Sequence, residues 1–127
     1  MRAASKRAVM HGEVRIEYLA WGEPGPRTPV LLVPGMAAPA DYWTQHPALL
    51  RALLEQGRRV LAVSLRGRGG SSCPAAGYRP EDHHADMRAV LDAEAVERAH
   101  VVGHSVGAAY ALGLALAHPE AVVSVTM

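Results

Sequence analysis

The residues with the clearest chemical potential form the segment Gly103-His104-Ser105-Val106-Gly107. A serine hydroxyl is a weak nucleophile, so a protein that uses one must expose it and place a base beside it. A G-x-S-x-G segment between a strand and a helix provides the exposure, because the sharp turn lifts the serine Oγ above the sheet. The alternative interpretation is a serine in an ordinary tight turn.

The sequence around this segment favours the catalytic interpretation. Apolar residues 99–102 predict a strand that ends before the turn, and residues 106–118 predict a helix that is rich in small side chains. A side chain at Gly103 or Gly107 is expected to collide with the neighbouring strand or helix. The helix also directs its first N–H groups and its positive dipole end at the site. We therefore predict that Ser105 is a nucleophile.

The elements that must position this turn follow from hydrophobic patterning. Two alternating apolar runs, separated by His11-Gly12, predict an N-terminal hairpin. From residue 30 onward, apolar strands alternate with helices, which implies right-handed βαβ units and a parallel sheet. The strands are predicted at 30–33, 59–65, 99–102 and 122–127, and the helices at 47–56, 80–93 and 106–118. The predicted fold class is α/β, with a mostly parallel sheet, an N-terminal antiparallel hairpin and helices on both faces.

Three unusual segments follow the carboxyl ends of predicted strands. They are Pro34-Gly35-Met36, the Gly/Ser/Pro-rich loop 66–78 and the turn at Ser105. Ligands of open α/β sheets bind outside the carboxyl ends of the strands. The three segments are therefore expected to converge at one binding edge.

In their order and spacing, these segments resemble the α/β-hydrolase superfamily. Val33-Pro34-Gly35-Met36 is similar to the segment that ends in His-Gly in the family, and residues 64–71, Ser-Leu-Arg-Gly-Arg-Gly-Gly-Ser, resemble its D-x-R-G-x-G-x-S loop. Residues 103–107 resemble its nucleophile elbow. The resemblance extends from about Val9 to Met127, and it implies the N-terminal part of this fold as a single partial core over residues 1–127.

The resemblance also implies a reaction and the groups that carry it. Ser105 would attack a small ester, lactone or thioester, and the acyl-enzyme formed would then be hydrolysed. The backbone N–H groups of Met36 and Val106 would form the oxyanion hole. The residues that shape the elbow and its neighbouring loop would be Gly35, Gly103, His104 and Gly107. No metal and no cofactor is implied.

The sequence departs from the family pattern at two positions. Pro34 stands where His is common, which affects the geometry of the loop, and Ser64 stands where Asp is usual, which alters a local hydrogen-bond network. A serine nucleophile argues against haloalkane dehalogenase and epoxide hydrolase chemistry, for which the family uses Asp. Hydrolysis of C–C bonds, cofactor-free peroxidation and lyase activity stay open.

A serine hydrolase also needs a histidine base and a carboxylate that orients it. Only His118 and Glu120 follow Ser105 in this chain. A helix that separates them from the serine, at 1.5 Å per residue, places His118 about 20 Å away. The base and acid are therefore expected from a missing C-terminal part or from a second polypeptide, and the isolated chain is expected to be inactive. The cap is expected to lie beyond Met127.

Other polar residues have plainer interpretations. His83 and His84 are expected at the surface or rim, and Asp86 and Asp92 are expected to be solvated. Residues 67–71 could be read as a phosphate-binding loop, but they lack its Gly-Lys-Ser/Thr ending, so phosphate or nucleotide binding is not expected. A different class of function also stays open, a non-catalytic hydrolase-like module that binds a ligand or partner.

Composition narrows the partners and the compartment. The 127 residues have a formal net charge of +1 and no basic block, so nucleic acid is not an expected partner. No apolar stretch approaches the roughly 20 residues that span a bilayer. Cys73 is the single cysteine, which favours a reducing compartment, and the expected location is the cytoplasm.

Overall fold

The sheet has six strands in the order β1-β2-β4-β3-β5-β6 in the computed structural model, which describes residues 4–127. The strands are β1 Ser5–His11, β2 Val14–Trp21, β3 Val30–Val33, β4 Val60–Val63, β5 Ala99–Gly103 and β6 Val122–Thr126. The helices are α1 Pro47–Glu55, α2 Pro80–Ala93 and α3 Val106–Ala117, with short 3₁₀-helices at Ala40–Gln45 and Pro119–Ala121. Residues 1–3 of the predicted core lie outside the described part.

The pairing of the strands confirms the predicted topology. β1 pairs antiparallel with β2, and β2 pairs antiparallel with β4. The pairs β3–β4, β3–β5 and β5–β6 are parallel. The carboxyl ends of β3, β4 and β5 therefore meet at one edge, where the three unusual segments begin.

Both faces of the sheet are covered, because the side chains of the central strands alternate between two cores. Leu31 and Val33 of β3 pack into the core beneath α2 and α3. Val30 and Leu32, which point the other way, pack beneath α1 and the 3₁₀-helix at Ala40–Gln45. Successive strand residues point to opposite faces, so a fully apolar strand serves two layers at once.

Helix α2 corrects two of the sequence-based expectations. His83 is 2% exposed and Asp86 is fully buried, although both were expected to contact solvent. Asp86 is buried because Arg66, which precedes it by 20 residues, and His11 of β1 supply its partners. Helical periodicity in the sequence identifies the inner face of α2. It does not show that Arg66, a residue of a distant loop, supplies a positive charge to that face. His83 is buried beside Tyr110 of α3.

A second polar cluster surrounds Glu94, just after α2. Its carboxylate accepts hydrogen bonds from the Tyr18 hydroxyl at 2.6 Å, from Arg59 Nη2 at 2.6 Å and from Arg7 Nη1 at 2.9 Å. Burial and the hydrogen bond to Glu94 raise the pKa of Tyr18 to about 12. The cluster joins β1, β2 and the start of β4 to the end of α2.

The raised pKa of Tyr18 makes part of the stability dependent on alkaline pH. Because an unfolded tyrosine has a pKa near 10, the hydroxyl's contribution is complete below pH 10 and is lost as the pH rises through about 12. We expect the stability advantage of the wild type over Tyr18→Phe to shrink across this range, as measured by urea denaturation. An advantage that stays constant to pH 12 would contradict this prediction.

Candidate active site

Ser105 occupies a strained backbone conformation between β5 and α3. Its φ is 57° and its ψ is −125°, in a region that a residue with a Cβ rarely adopts. Such a conformation costs of order 1–3 kcal/mol and persists only where the surrounding structure enforces it. Ser105 is exposed at the carboxyl end of β5, so this turn presents a hydroxyl at the predicted binding edge.

The surrounding structure enforces this turn through close backbone contacts. A Cβ on Gly103 would lie 2.5 Å from the carbonyl oxygen of Gly107, and a Cβ on Gly107 would lie 2.5 Å from that of Val33. The N–H of His104 donates a hydrogen bond to the same Val33 oxygen at 3.0 Å. The collisions expected from the sequence are therefore confirmed, and the turn is pressed against the end of β3.

The Gly107→Ala substitution tests this contact, because helix propensity and steric overlap predict opposite changes in stability. Helix propensity alone would stabilise the Gly107→Ala variant by up to about 1 kcal/mol. Since the new methyl group would overlap the backbone of β3, we expect a destabilisation of at least about 1–3 kcal/mol. Chemical denaturation measures the difference. Gly25→Ala is the control, because its Cβ would meet only atoms at 3.8 Å or beyond and its stability is expected to be unchanged.

The two predicted oxyanion donors belong to segments that lie close to the serine. Val106 is the first residue of α3, and its N–H points away from the helix body. Met36 follows Gly35, at which a Cβ would lie 3.3 Å from the Cβ of Ser105. Within residues 4–127, neither N–H donates a hydrogen bond. Both donors are therefore free to bind an oxygen atom.

Ser64 and Pro34, the two departures from the family pattern, are both buried, and Ser64 forms hydrogen bonds. The Ser64 hydroxyl is buried and accepts a hydrogen bond from the N–H of Ala40 at 2.7 Å. The Ser64 carbonyl oxygen accepts a hydrogen bond from the Ser71 hydroxyl at 2.6 Å. Ser64 therefore ties the loop after β4 to the 3₁₀-helix, while Pro34 is buried at the end of β3.

His104 lies next to the serine in the chain but packs elsewhere. Its ring stacks on that of Tyr42, with centroids 5.2 Å apart and planes 19° from parallel. Among residues 4–127, no imidazole forms a hydrogen bond with Ser105. His118 and Glu120 lie at the opposite end of α3. The described part of the chain therefore presents the hydroxyl without a base in contact.

The loop after β4 is held at the site by a buried ion pair. Arg66 Nε and Nη2 donate to the Asp86 carboxylate at 2.6 and 2.7 Å, and Arg66 Nη1 donates to the Gly77 carbonyl at 2.8 Å. His11 Nδ1 lies 2.8 Å from the same carboxylate. Asp86 raises the pKa of Arg66 through these hydrogen bonds. Arg66 therefore joins the two ends of the loop to each other and to α2.

Removing Asp86 is expected to destabilise the protein strongly. Asp86→Ala leaves the Arg66 charge buried without its partner, and we expect a loss of about 3–5 kcal/mol of unfolding free energy by urea denaturation. Asp92→Ala is the control on the same helix, because Asp92 forms an exposed pair with Arg88 that contributes about 0.5 kcal/mol or less. Equal effects of the two substitutions would contradict this assignment.

A cleft of about 350 Å³ lies between the first two of the converging segments. Its lining residues are Met36, Ala37, Arg66, Gly67, Arg68, Cys73 and Tyr78. Arg68 was not predicted to have a role, although its place in the R-G-R-G-G-S run is a signal in the sequence that it lies in this loop. Within residues 4–127, no cluster of three or more side chains is suited to hold a metal ion, and no helix is long and apolar enough to span a bilayer.

Comparison with known proteins decides the family. The profile of the alpha/beta hydrolase fold family matches residues 28–127. The chain belongs to the α/β-hydrolase family. Among solved structures, this chain is similar to Est816, described as an N-acyl homoserine lactone degrading enzyme, with a TM-score of 0.82 and 32% identity over 94% of this chain and 43% of Est816. Epoxide hydrolase A from Mycobacterium thermoresistibile has a TM-score of 0.83 and 36% identity, covering 96% and 38%.

The curated relatives that this chain matches are longer than the chain itself. The putative carbamate hydrolase RutD of Variovorax paradoxus is 41% identical over 99 residues, which are 77% of this chain and 36% of the relative. Epoxide hydrolase A of Mycobacterium tuberculosis is 36% identical over 98% of this chain and 38% of the relative. The chain thus spans a little over a third of the length of these relatives.

Proposed function

We propose that this chain is the N-terminal part of a serine hydrolase that acts on a small ester, lactone or thioester. The observation that carries the proposal is the strained backbone of Ser105, at φ 57°, between β5 and α3. Strain of this kind persists at sites where it positions a reacting group. The lactone-degrading and carbamate hydrolase names of two relatives support a carbonyl substrate.

In the proposed reaction, Ser105 Oγ attacks the carbonyl carbon while its proton passes to a histidine base. The carbonyl oxygen becomes negative and accepts hydrogen bonds from the N–H groups of Met36 and Val106. One such donor contributes about 3–4 kcal/mol to the stability of the transition state in comparable sites. The leaving group departs with the proton from the histidine. Water, activated by the same base, then releases the acid and restores the serine.

The histidine and the carboxylate of this scheme are assigned to a C-terminal part or to a second polypeptide. The support is that no imidazole in residues 4–127 forms a hydrogen bond with Ser105, and that the chain corresponds to 36–38% of its curated relatives. The cap that covers the site is assigned to the same missing part, and the small acyl substrate is the other partner.

Epoxide hydrolysis fits the residue at position 105 less well, although two similar proteins bear that name. A carboxylate nucleophile opens an epoxide to give an ester, which water can hydrolyse. A serine would give an ether, which has no carbonyl for water to attack. The identity of the nucleophile therefore favours acyl transfer over epoxide opening.

The test is the reaction of the polypeptide, purified at its natural length, with a fluorophosphonate probe and with 4-nitrophenyl esters. We expect labelling at Ser105, and we expect Ser105→Ala to lower kcat/KM by at least about a thousandfold because the covalent route is lost. Ser5→Ala is the matched control, since Ser5 is exposed on β1 and distant in the sheet from β5. Its activity is expected to equal that of the wild type.

Three results would count against the proposal. Labelling of another serine, or full esterase activity in Ser105→Ala, would show that the nucleophile lies elsewhere. Absence of both labelling and hydrolysis at natural length would favour the non-catalytic binding module. Labelling of residues 1–127 alone, at the rate of the natural-length polypeptide, would contradict the assignment of the base to another part.

A further inference from the structure

Arg68 carries a charge that nothing in the described structure neutralises. It follows Arg66 by two residues in the loop after β4 and is half-buried. Its Nη1 atom is fully buried and donates no hydrogen bond. Among residues 4–127, no acidic side chain forms an ion pair with Arg68, whereas Arg66 is fully paired with Asp86.

Tyr78 lines the same cleft as Arg68 and belongs to an aromatic group with His83 and Tyr110. His83 is 2% exposed, and its ring centroid lies 4.4 Å from that of Tyr110 and 6.4 Å from that of Tyr78. Burial lowers the pKa of His83, and the positive charge of Arg68 lowers it further. His83 Nδ1 is also buried without a hydrogen-bond partner.

The cluster adjoins the proposed oxyanion hole. Arg68 and Tyr78 line the same cleft of about 350 Å³ as Met36, whose N–H is one of the two proposed donors. A molecule that occupies this cleft therefore lies against both Met36 and Arg68. The volume suits a short organic group rather than a polymer.

Arg68 is half-buried and has no counter-charge, and a charge that is partly removed from water without one is costly, so an anion in the cleft would stabilise it. The planar fork of arginine matches a carboxylate, with which it forms two parallel charge-assisted hydrogen bonds. We propose that the substrate is an anion, an acyl compound whose carboxylate is bound by Arg68 in the cleft that Met36 also lines. This inference rests on the proposed function and names its substrate class.

The first test compares pairs of matched esters in which only one member carries a carboxylate. The pairs are 4-nitrophenyl hexanoate with mono-4-nitrophenyl adipate, and phenyl acetate with 4-carboxyphenyl acetate, so that the carboxylate is placed on either side of the scissile bond. The wild type at natural length is expected to prefer the charged member of at least one pair. Arg68→Met should lower that preference, the ratio of kcat/KM for the charged ester to kcat/KM for the neutral ester, by about 10- to 100-fold.

Two variants keep this comparison interpretable. Arg68→Lys retains the charge without the fork and is expected to lose only part of the preference. Arg51→Met removes an exposed charge from α1, on the other face of the sheet, and should leave the preference unchanged. If Arg68→Met does not fold, Arg68→Gln replaces it. An equal preference in the wild type and in the variant that lacks the charge, for both ester pairs, would overturn the inference.

The second test measures binding without turnover. Ser105→Ala at natural length is expected to bind monomethyl adipate in calorimetric titration, and the added Arg68→Met substitution should weaken that binding by about tenfold or more. Binding that depends on Arg68 in a protein that hydrolyses no ester would refute the proposed function and leave the anion site standing. Hydrolysis that depends on Ser105, with neither binding nor preference dependent on Arg68, would refute only the anion site.

Discussion

The close approach of two backbones, the turn after β5 and the end of β3, is the constraint on which the site depends. Gly103 and Gly107 permit it, because any larger residue would overlap main-chain atoms of the neighbouring elements. That approach holds Ser105 in its unfavourable conformation and also brings it against Gly35. The hydroxyl and the two unpaired N–H groups are thus placed by backbone packing, and no side chain at Met36 or Val106 has to take part.

Buried polar clusters hold the remaining parts in register with this contact. Arg66 and Asp86 link the loop after β4 to α2, and the carboxylate of Glu94 links the N-terminal hairpin to the same helix. Each cluster joins segments that are far apart in sequence, so it contributes to the placement of elements rather than to their formation. The apolar cores hold the elements together, and these charged groups fix the positions of the elements relative to one another.

The elements and the elbow were predictable because they depend on local patterns. The apolar run 30–33, the proline and acidic start of α2, and the small residues after Ser105 each indicate their structure within a few neighbouring positions. The burial of His83 and Asp86 was not predictable in this way. It depends on Arg66 and Tyr110, whose proximity is set by the packing of whole elements. The unpaired state of Arg68 is visible only once all its neighbours are in place.

The strain at Ser105 separates what the chain needs for folding from what it needs for chemistry. A glycine at this position would relieve the positive φ and expose no reactive group, so folding alone would select against the residue that is present. A selection of variants for stability alone would therefore replace this serine at an early stage. The presence of a serine at this position therefore indicates selection for something other than stability.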